Sequence, residues 1–194
     1  MGLTIDKCLQ AWTNSLRQMN AKADIVFFGD SLVYYGNFAS VFPDKVVCNL
    51  GLRGDTLHGM RNRVEQVTLL NPQRVYLMAG INDVASQSTD EFRENSESLL
   101  KTLIEQNPTT VLSVFNLLPV NDEDFTISCN NEQIVRCNEI IASLCHIHGL
   151  SYIDLFSSYE RNGNLPKELT TDGIHLSRDG YEKWYKLISN DSNI

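Results

Sequence analysis

The chain has 194 residues, of which 42% are hydrophobic and 21% are charged, and its net charge is −8. This is ordinary globular composition, and the length predicts one domain over residues 1–194 whose core needs neither a metal nor a disulfide. The acidic balance argues against nucleic acid and against anionic membranes as partners.

The amino-terminal sequence lacks the basic region and apolar stretch of a signal peptide, which predicts a cytoplasmic protein. No apolar run approaches the roughly 20 residues that a membrane span requires. The five cysteines are odd in number and lack Cys-x-x-Cys spacing, so we expect them to be reduced and structural.

Short apolar runs alternate with amphipathic segments along the whole chain. In order, the pattern predicts a helix over Thr4–Met19, strands over Ile25–Phe28 and Val46–Leu50, a helix over Asp55–Leu70 capped by Asp55, a strand over Val75–Ala79, a helix over Thr89–Gln106, a strand over Thr109–Phe115, a helix over Asn131–His148, a strand over Ser151–Asp154, and a last helix capped by Ser177. Fully apolar strands indicate burial on both faces, as in a parallel sheet covered by helices. The alternation therefore predicts a doubly wound α/β sandwich with right-handed crossovers.

In such folds the ligand site lies beyond the carboxyl ends of the strands. Ser31 follows the first strand, and His175 lies in a loop before the last helix with Asp172 three residues ahead of it. A serine hydroxyl needs an imidazole base, and the base needs a group that orients it. We therefore predict Ser31 as nucleophile, His175 as general base and Asp172 as the carboxylate that orients it. Asp30 is expected to be structural.

Donors for an oxyanion are expected from the same edge of the sheet. Gly51 follows the second strand and can present its backbone N–H without a side chain in the way. Asn82 follows the third strand and can present its amide, and the backbone N–H of Ser31 is the third candidate.

These residues lie in four blocks that resemble the GDSL, or SGNH, family of serine esterases and lipases. The blocks are Gly29-Asp30-Ser31-Leu32, Asn49-Leu50-Gly51, Gly80-Ile81-Asn82-Asp83 and Asp172-Gly173-Ile174-His175-Leu176. The resemblance implies a three-layer α/β/α fold with a five-stranded parallel sheet of flavodoxin-like order 2-1-3-4-5. It also implies an acyl-enzyme mechanism without a cofactor or metal. Within the family the chain is most similar to the branch of platelet-activating-factor acetylhydrolases and small acetylesterases.

The expected substrate is a small-molecule ester with a short acyl group, and an acetyl group is favoured. Arg53 stands where the similar branch often has a small residue, so it is expected to bind a polar or anionic substrate group. Tyr34, Tyr35, Leu118 and Ile174 are further candidates for the pocket wall. Lysophospholipid, aryl ester or thioester hydrolysis and acyl transfer at the same site stay open, as does a non-catalytic flavodoxin-like binding module. The sequence does not indicate an oligomeric state.

Overall fold

A computed structural model describes residues 5–189. Its five strands form one parallel sheet in the order β2-β1-β3-β4-β5. The strands are β1 (Ile25–Gly29), β2 (Val47–Gly51), β3 (Arg74–Met78), β4 (Val111–Phe115) and β5 (Ser151–Ile153). The predicted fold class and strand order are therefore confirmed, and each strand boundary lies within two residues of its predicted position.

Eight α-helices are present in the described part of the chain. They are α1 (Ile5–Met19), α2 (Ser31–Tyr34), α3 (Leu57–Asn62), α4 (Glu65–Leu70), α5 (Thr89–Gln106), α6 (Asn131–His148), α7 (Phe156–Tyr159) and α8 (Arg178–Ser189). Two 3₁₀ turns occupy Phe38–Ser40 and Lys167–Leu169. Thr4, where the first helix was predicted to begin, lies outside the described residues. Within residues 5–189, none of the helices has the length and apolar character needed to cross a membrane.

The single helix predicted over Asp55–Leu70 is wrong, because the chain forms two short helices there. The break falls at Arg63, whose backbone has φ −120° and ψ 17°. The predicted cap is also wrong, because Thr56 accepts the hydrogen bond from Gly59 N at 3.1 Å. Asp55 is instead bound through its side chain to Arg63 in a buried ion pair.

The core is built around aromatic side chains on one face of the sheet. Phe27 stacks on Phe38 with ring centroids 3.9 Å apart, and Tyr76 lies between Phe27 and Phe115 at 4.9 and 5.4 Å. Trp184 of α8 packs edge-on against Phe115 at 5.3 Å. Burying a ring of this size contributes roughly 1.5–3 kcal/mol. This packing fixes α8, and with it the loop before α8, against the sheet.

The strand register brings three loop starts to one edge of the sheet. Gly29 at the end of β1 is paired with Gly51 of β2 on one side and with Met78 of β3 on the other. The residues that follow these strands therefore begin side by side, at the carboxyl edge where ligands bind in open α/β sheets.

Candidate active site

Ser31 is the first residue of α2 and is buried, with 7% of its surface exposed. Asp30 caps this helix, since its Oδ1 accepts a hydrogen bond from Leu32 N at 2.8 Å. The hydroxyl of Tyr181 in α8 donates to the Leu32 carbonyl at 2.7 Å. The N–H and the carbonyl of Leu32 are thus both hydrogen-bonded to side chains, which holds the short helix in place and fixes the direction of the Ser31 side chain.

Two glycines allow the strands to approach this helix closely. A Cβ atom on Gly29 would lie 2.4 Å from Cγ2 of Val33 and 2.5 Å from the Met78 carbonyl oxygen. A Cβ atom on Gly51 would lie 2.2 Å from the backbone N of Tyr34. Because these contacts include backbone atoms, a side chain at either position would displace the helix that carries Ser31.

The loop that carries His175 is folded tightly by its own polar side chains. Asp172 Oδ1 accepts hydrogen bonds from the backbone N–H groups of Ile174 at 3.0 Å and His175 at 2.8 Å. The Thr170 hydroxyl donates to the His175 carbonyl at 2.8 Å and accepts from Gly173 N at 2.9 Å. Gly173 has φ +92°, a conformation that favours glycine. The carboxylate and the imidazole are thereby presented from one turn.

The structure brings Ser31, His175 and Asp172 into one hydrogen-bonded row. His175 Nε2 lies 2.9 Å from Ser31 Oγ, and His175 Nδ1 lies 2.7 Å from Asp172 Oδ2. Partial burial raises the pKa of Asp172, but the hydrogen bonds from His175 and Ile174 outweigh it and the net pKa is lowered. Asp172 is therefore ionised at neutral pH and can hold a proton on Nδ1, which leaves Nε2 free to accept one from Ser31.

Gly51 is the last residue of β2 and Asn82 lies four residues after the end of β3, and both are already hydrogen-bonded. Gly51 N donates to Asn49 Oδ1 at 2.8 Å, and the Asn49 amide donates to the carbonyls of Val33 and Gly36 at 2.8 and 2.9 Å. The amide nitrogen of Asn82 donates one hydrogen to the Asp55 carbonyl at 2.8 Å, and an amide nitrogen carries two. Asn82 therefore keeps a second N–H for a ligand. The Gly51 N–H could bind a ligand only by sharing its hydrogen bond with Asn49 Oδ1 or by giving that bond up.

A group of buried charged side chains lies beneath this edge of the sheet. Burial raises the pKa of Asp30 to about 7 and that of Asp83 to about 6, and repulsion from Asp55 adds to both. Backbone N–H donors, Leu32 to Asp30 and Leu57 to Asp83, act in the opposite direction. The sequence predicted Asp30 as structural, but it gave no role to Arg63, which forms a buried ion pair with Asp55.

A cleft of about 580 Å³ opens above Ser31. It is lined by the predicted residues Arg53, Asn82, Ile174 and His175, and by Gly54, Ile81, Ala85, Ser128 and Cys129, which the sequence did not single out. Leu118 is only 2% exposed and packs in the core, so it does not line the cleft. Tyr34 does not line it either, and its ring contacts that of Tyr35 instead, with centroids 5.1 Å apart.

Tyr35 is the aromatic residue that contacts the predicted site. Its ring meets the His175 imidazole edge-on, with ring centroids 5.7 Å apart, and the Arg53 guanidinium lies over it at 5.6 Å. Both tyrosines were candidates in the sequence. At the end of a short helix consecutive side chains point in different directions, so only one of the two contacts His175.

Metal-binding groups of three or more His, Cys, Asp or Glu side chains are absent from residues 5–189. All five cysteines are free thiols.

Comparison with known proteins identifies the family. The profile of the GDSL-like Lipase/Acylhydrolase family matches residues 27–183. Two similar folds are a Streptococcus pneumonia protein named for platelet activating factor (TM-score 0.80, 24% identity, 95% of this chain and 96% of that one) and the acetyl xylan esterase AlAXEase (TM-score 0.72, 19% identity, 84% and 96%). At these identities the two structures show a shared fold only.

The chain is also similar to a curated N-acylneuraminate cytidylyltransferase of Streptococcus agalactiae, with 23% identity over 164 residues. The match covers 84% of this chain but 37% of that protein. The similarity is thus to one part of a longer protein.

Proposed function

Because the chain belongs to the GDSL-like lipase/acylhydrolase family, a family of carboxylic ester hydrolases, we propose that it hydrolyses short acyl esters, acetyl esters above all, through Ser31, His175 and Asp172. The observation that carries this proposal is the row of two hydrogen bonds from Ser31 Oγ through His175 to Asp172, at 2.9 and 2.7 Å. No cofactor takes part in the proposed reaction.

In the first half of the reaction Ser31 Oγ attacks the ester carbonyl carbon while His175 Nε2 takes the hydroxyl proton. The carbonyl oxygen becomes an oxyanion, and the proposed donors to it are the backbone N–H groups of Ser31 and Gly51 and the Asn82 amide. The oxyanion competes with Asn49 Oδ1 for the Gly51 N–H. Collapse of the intermediate expels the alcohol, which receives the proton from His175, and leaves Ser31 acylated.

In the second half a water molecule gives its proton to His175 Nε2 and attacks the acyl carbon. The carboxylic acid leaves as the C–Oγ bond breaks, and Ser31 regains its proton from His175. Exposure of the site supports water as the acceptor, since the side chains of His175 and Asp172 are 32% and 53% exposed. We therefore favour hydrolysis over acyl transfer.

The proposed substrate is an acetyl ester of a polar or anionic carbohydrate. Arg53 lines the cleft beside Ser31, and its charge suits a carboxylate or phosphate on the alcohol side of the ester. Two of the similar proteins bear names of enzymes that act on carbohydrates, an acetyl xylan esterase and an N-acylneuraminate cytidylyltransferase. Lysophospholipids and thioesters are the alternative substrates for the same site.

The test is a panel of p-nitrophenyl acetate, butyrate and octanoate, together with acetylated neutral sugars and acetylated sugar acids. We expect the highest kcat/KM on acetyl esters and no activity in Ser31→Ala. A Ser31→Ala variant as active as the wild type would refute the nucleophile, and a preference for octanoate would refute the acetyl assignment.

Arg53→Ala tests the alcohol side of the substrate. A hydrogen bond to a charged group is worth about 1.5–3 kcal/mol, so KM for the sugar acid is expected to rise about tenfold or more while p-nitrophenyl acetate is unaffected. Arg136→Ala is the matched control, because Arg136 lies on α6 away from the cleft and makes only a long 3.9 Å ion pair with Glu132. Equal KM values for the sugar acid in Arg53→Ala and Arg136→Ala would remove Arg53 from the binding site.

A further inference from the structure

Arg63 is a buried cation with no place in the reaction just described. It is 4% exposed, and its guanidinium lies over the Phe28 ring at 4.4 Å. Its Nε donates to Asp55 Oδ2 at 2.6 Å. Placing an arginine under a sheet has a large desolvation cost, which its partners must offset. The identity of those partners therefore indicates the role of Arg63.

Two of the partners are backbone carbonyls at the ends of adjacent strands. Arg63 Nη1 donates to the Leu50 carbonyl at 2.8 Å, and Nη2 donates to the Gly29 carbonyl at 2.9 Å. The Leu50 carbonyl belongs to the same peptide unit as the Gly51 N–H. The Gly29 carbonyl lies one peptide unit before the Ser31 N–H. The planar fork of the guanidinium thus bridges the two strand ends that present the proposed backbone donors.

The ion pair also reaches the third proposed donor. The carboxylate of Asp55 binds Arg63, and the backbone carbonyl of the same Asp55 accepts the hydrogen bond from the Asn82 amide at 2.8 Å. Fixing Asp55 therefore fixes the acceptor that orients Asn82. All three proposed oxyanion donors are connected to the Arg63–Asp55 pair through one hydrogen bond and at most two peptide units.

We propose that Arg63, paired with Asp55, is the positioning residue of the oxyanion hole. It holds the Leu50–Gly51 peptide, the start of the Ser31 turn and the Asn82 amide in the geometry that a tetrahedral intermediate requires. Donation to the Leu50 carbonyl also polarises that peptide and strengthens the Gly51 N–H as a donor, because linked hydrogen bonds reinforce one another. The inference rests on the proposed function, since it needs an oxyanion at this site.

The first test compares the wild type with Arg63→Lys on p-nitrophenyl acetate. Lysine keeps the charge but cannot bridge two carbonyls and a carboxylate in one plane. Complete loss of one oxyanion donor costs about 10²–10³ in kcat, so displacement of the donors is expected to lower kcat about 10- to 100-fold with KM within about threefold. Inhibition by phenylboronic acid, which forms a tetrahedral adduct with the serine oxygen, is expected to weaken by a similar factor.

Asn116→Ala is the control for loss of stability alone. Like Arg63, Asn116 has a buried polar side chain close to the end of a strand. It lies away from the cleft, and its side chain is hydrogen-bonded to four residues, Tyr152, Asp154, Leu155 and Phe156. It is expected to lower Tm but to keep wild-type kcat and boronate affinity in the folded fraction. Asp55→Asn is the second variant should Arg63→Lys fail to fold, with an expected loss in kcat of about three- to tenfold.

The double variant Arg63→Lys/Asn82→Ala separates positioning from general damage. If Arg63 acts through the oxyanion donors, the loss in kcat for the double variant is smaller than the product of the single losses. Wild-type kcat and boronate affinity in both Arg63→Lys and Asp55→Asn, with Ser31→Ala inactive, would overturn this inference and leave the proposed function standing. Activity in Ser31→Ala would overturn the proposed function and this inference with it.

Discussion

Replacing Asp30 with asparagine should make the protein less sensitive to rising pH. Asp30 is fully buried beside Ser31, and its Oδ2 makes no hydrogen bond in the structure. Asparagine has nearly the same shape and can still accept the hydrogen bond from Leu32 N that caps α2. The substitution therefore removes the titratable proton and leaves the helix cap in place.

The expected size of the effect follows from the pKa of Asp30, which burial raises from 3.8 to about 7. The native state holds this proton more tightly than the unfolded chain, so the resulting stability is full below pH 3.8 and is lost as pH rises through about 7. Between pH 5 and pH 8 the loss is about 2–3 kcal/mol. For a protein of this size that is about 5–10 °C in Tm.

The assay is thermal unfolding of the wild type, Asp30→Asn and Asp44→Asn at pH 5 and pH 8. Asp44 lies exposed in a turn, so its variant removes the same charge from the surface and should follow the wild type. The fall in Tm from pH 5 to pH 8 should be smaller by about 5–10 °C in Asp30→Asn. Any loss of Tm from burying the asparagine amide is the same at both pH values, so it cancels when the falls in Tm from pH 5 to pH 8 are compared. An unchanged fall in Asp30→Asn would show that Asp30 does not titrate in this range.

Two further predictions concern the groups around His175. Asp172→Asn should lower kcat on p-nitrophenyl acetate about 10²–10³-fold with little change in KM, because His175 Nδ1 loses its carboxylate acceptor. The expected loss is smaller than the roughly 10⁴-fold loss for a buried carboxylate, because the Asp172 side chain is 53% exposed. A loss below threefold would contradict the role of Asp172. Tyr35→Leu should lower kcat several-fold, because the ring that packs against His175 is lost. Tyr35→Phe keeps the ring and should retain wild-type kcat; equal kcat in the two Tyr35 variants would argue against positioning by the ring.

The strands and their shared edge could be predicted because their signals are local. An apolar run such as Val75–Ala79 needs both faces buried, and a glycine or polar residue after it indicates the end of the strand. The same rule predicts that Ser31, Gly51 and Asn82 lie at one edge of the sheet. The spacing of Asp172 and His175 was equally local, since a turn of four residues presents both side chains.

The pocket wall could not be predicted in the same way, because it depends on the directions of single side chains in loops. Tyr34 and Tyr35 are consecutive, yet the ring of Tyr35 contacts His175 and Arg53. Leu118 lies three residues after the fourth strand, which suggested the pocket, but it is buried in the core. Sequence position therefore predicts which loop borders the cleft, but packing decides which side chain of that loop lines it.

Arg63 marks the limit of sequence reasoning most clearly. Apolar residues at helical spacing through Asp55–Leu70 predicted one helix. On that helix Arg63 would stand three residues after Met60 and four before Val67, which places a charged residue on the apolar face. Its real partners are carbonyls 13 and 34 residues earlier in the chain, and these become neighbours only when β1 and β2 pair in the observed register. The break in the helix at Arg63 and the burial of its side chain belong together, because the residue leaves helical geometry where its guanidinium reaches beneath the sheet. A charged residue on the apolar face of a predicted helix indicates a buried partner, and the partners of Arg63 are the groups behind the proposed oxyanion hole.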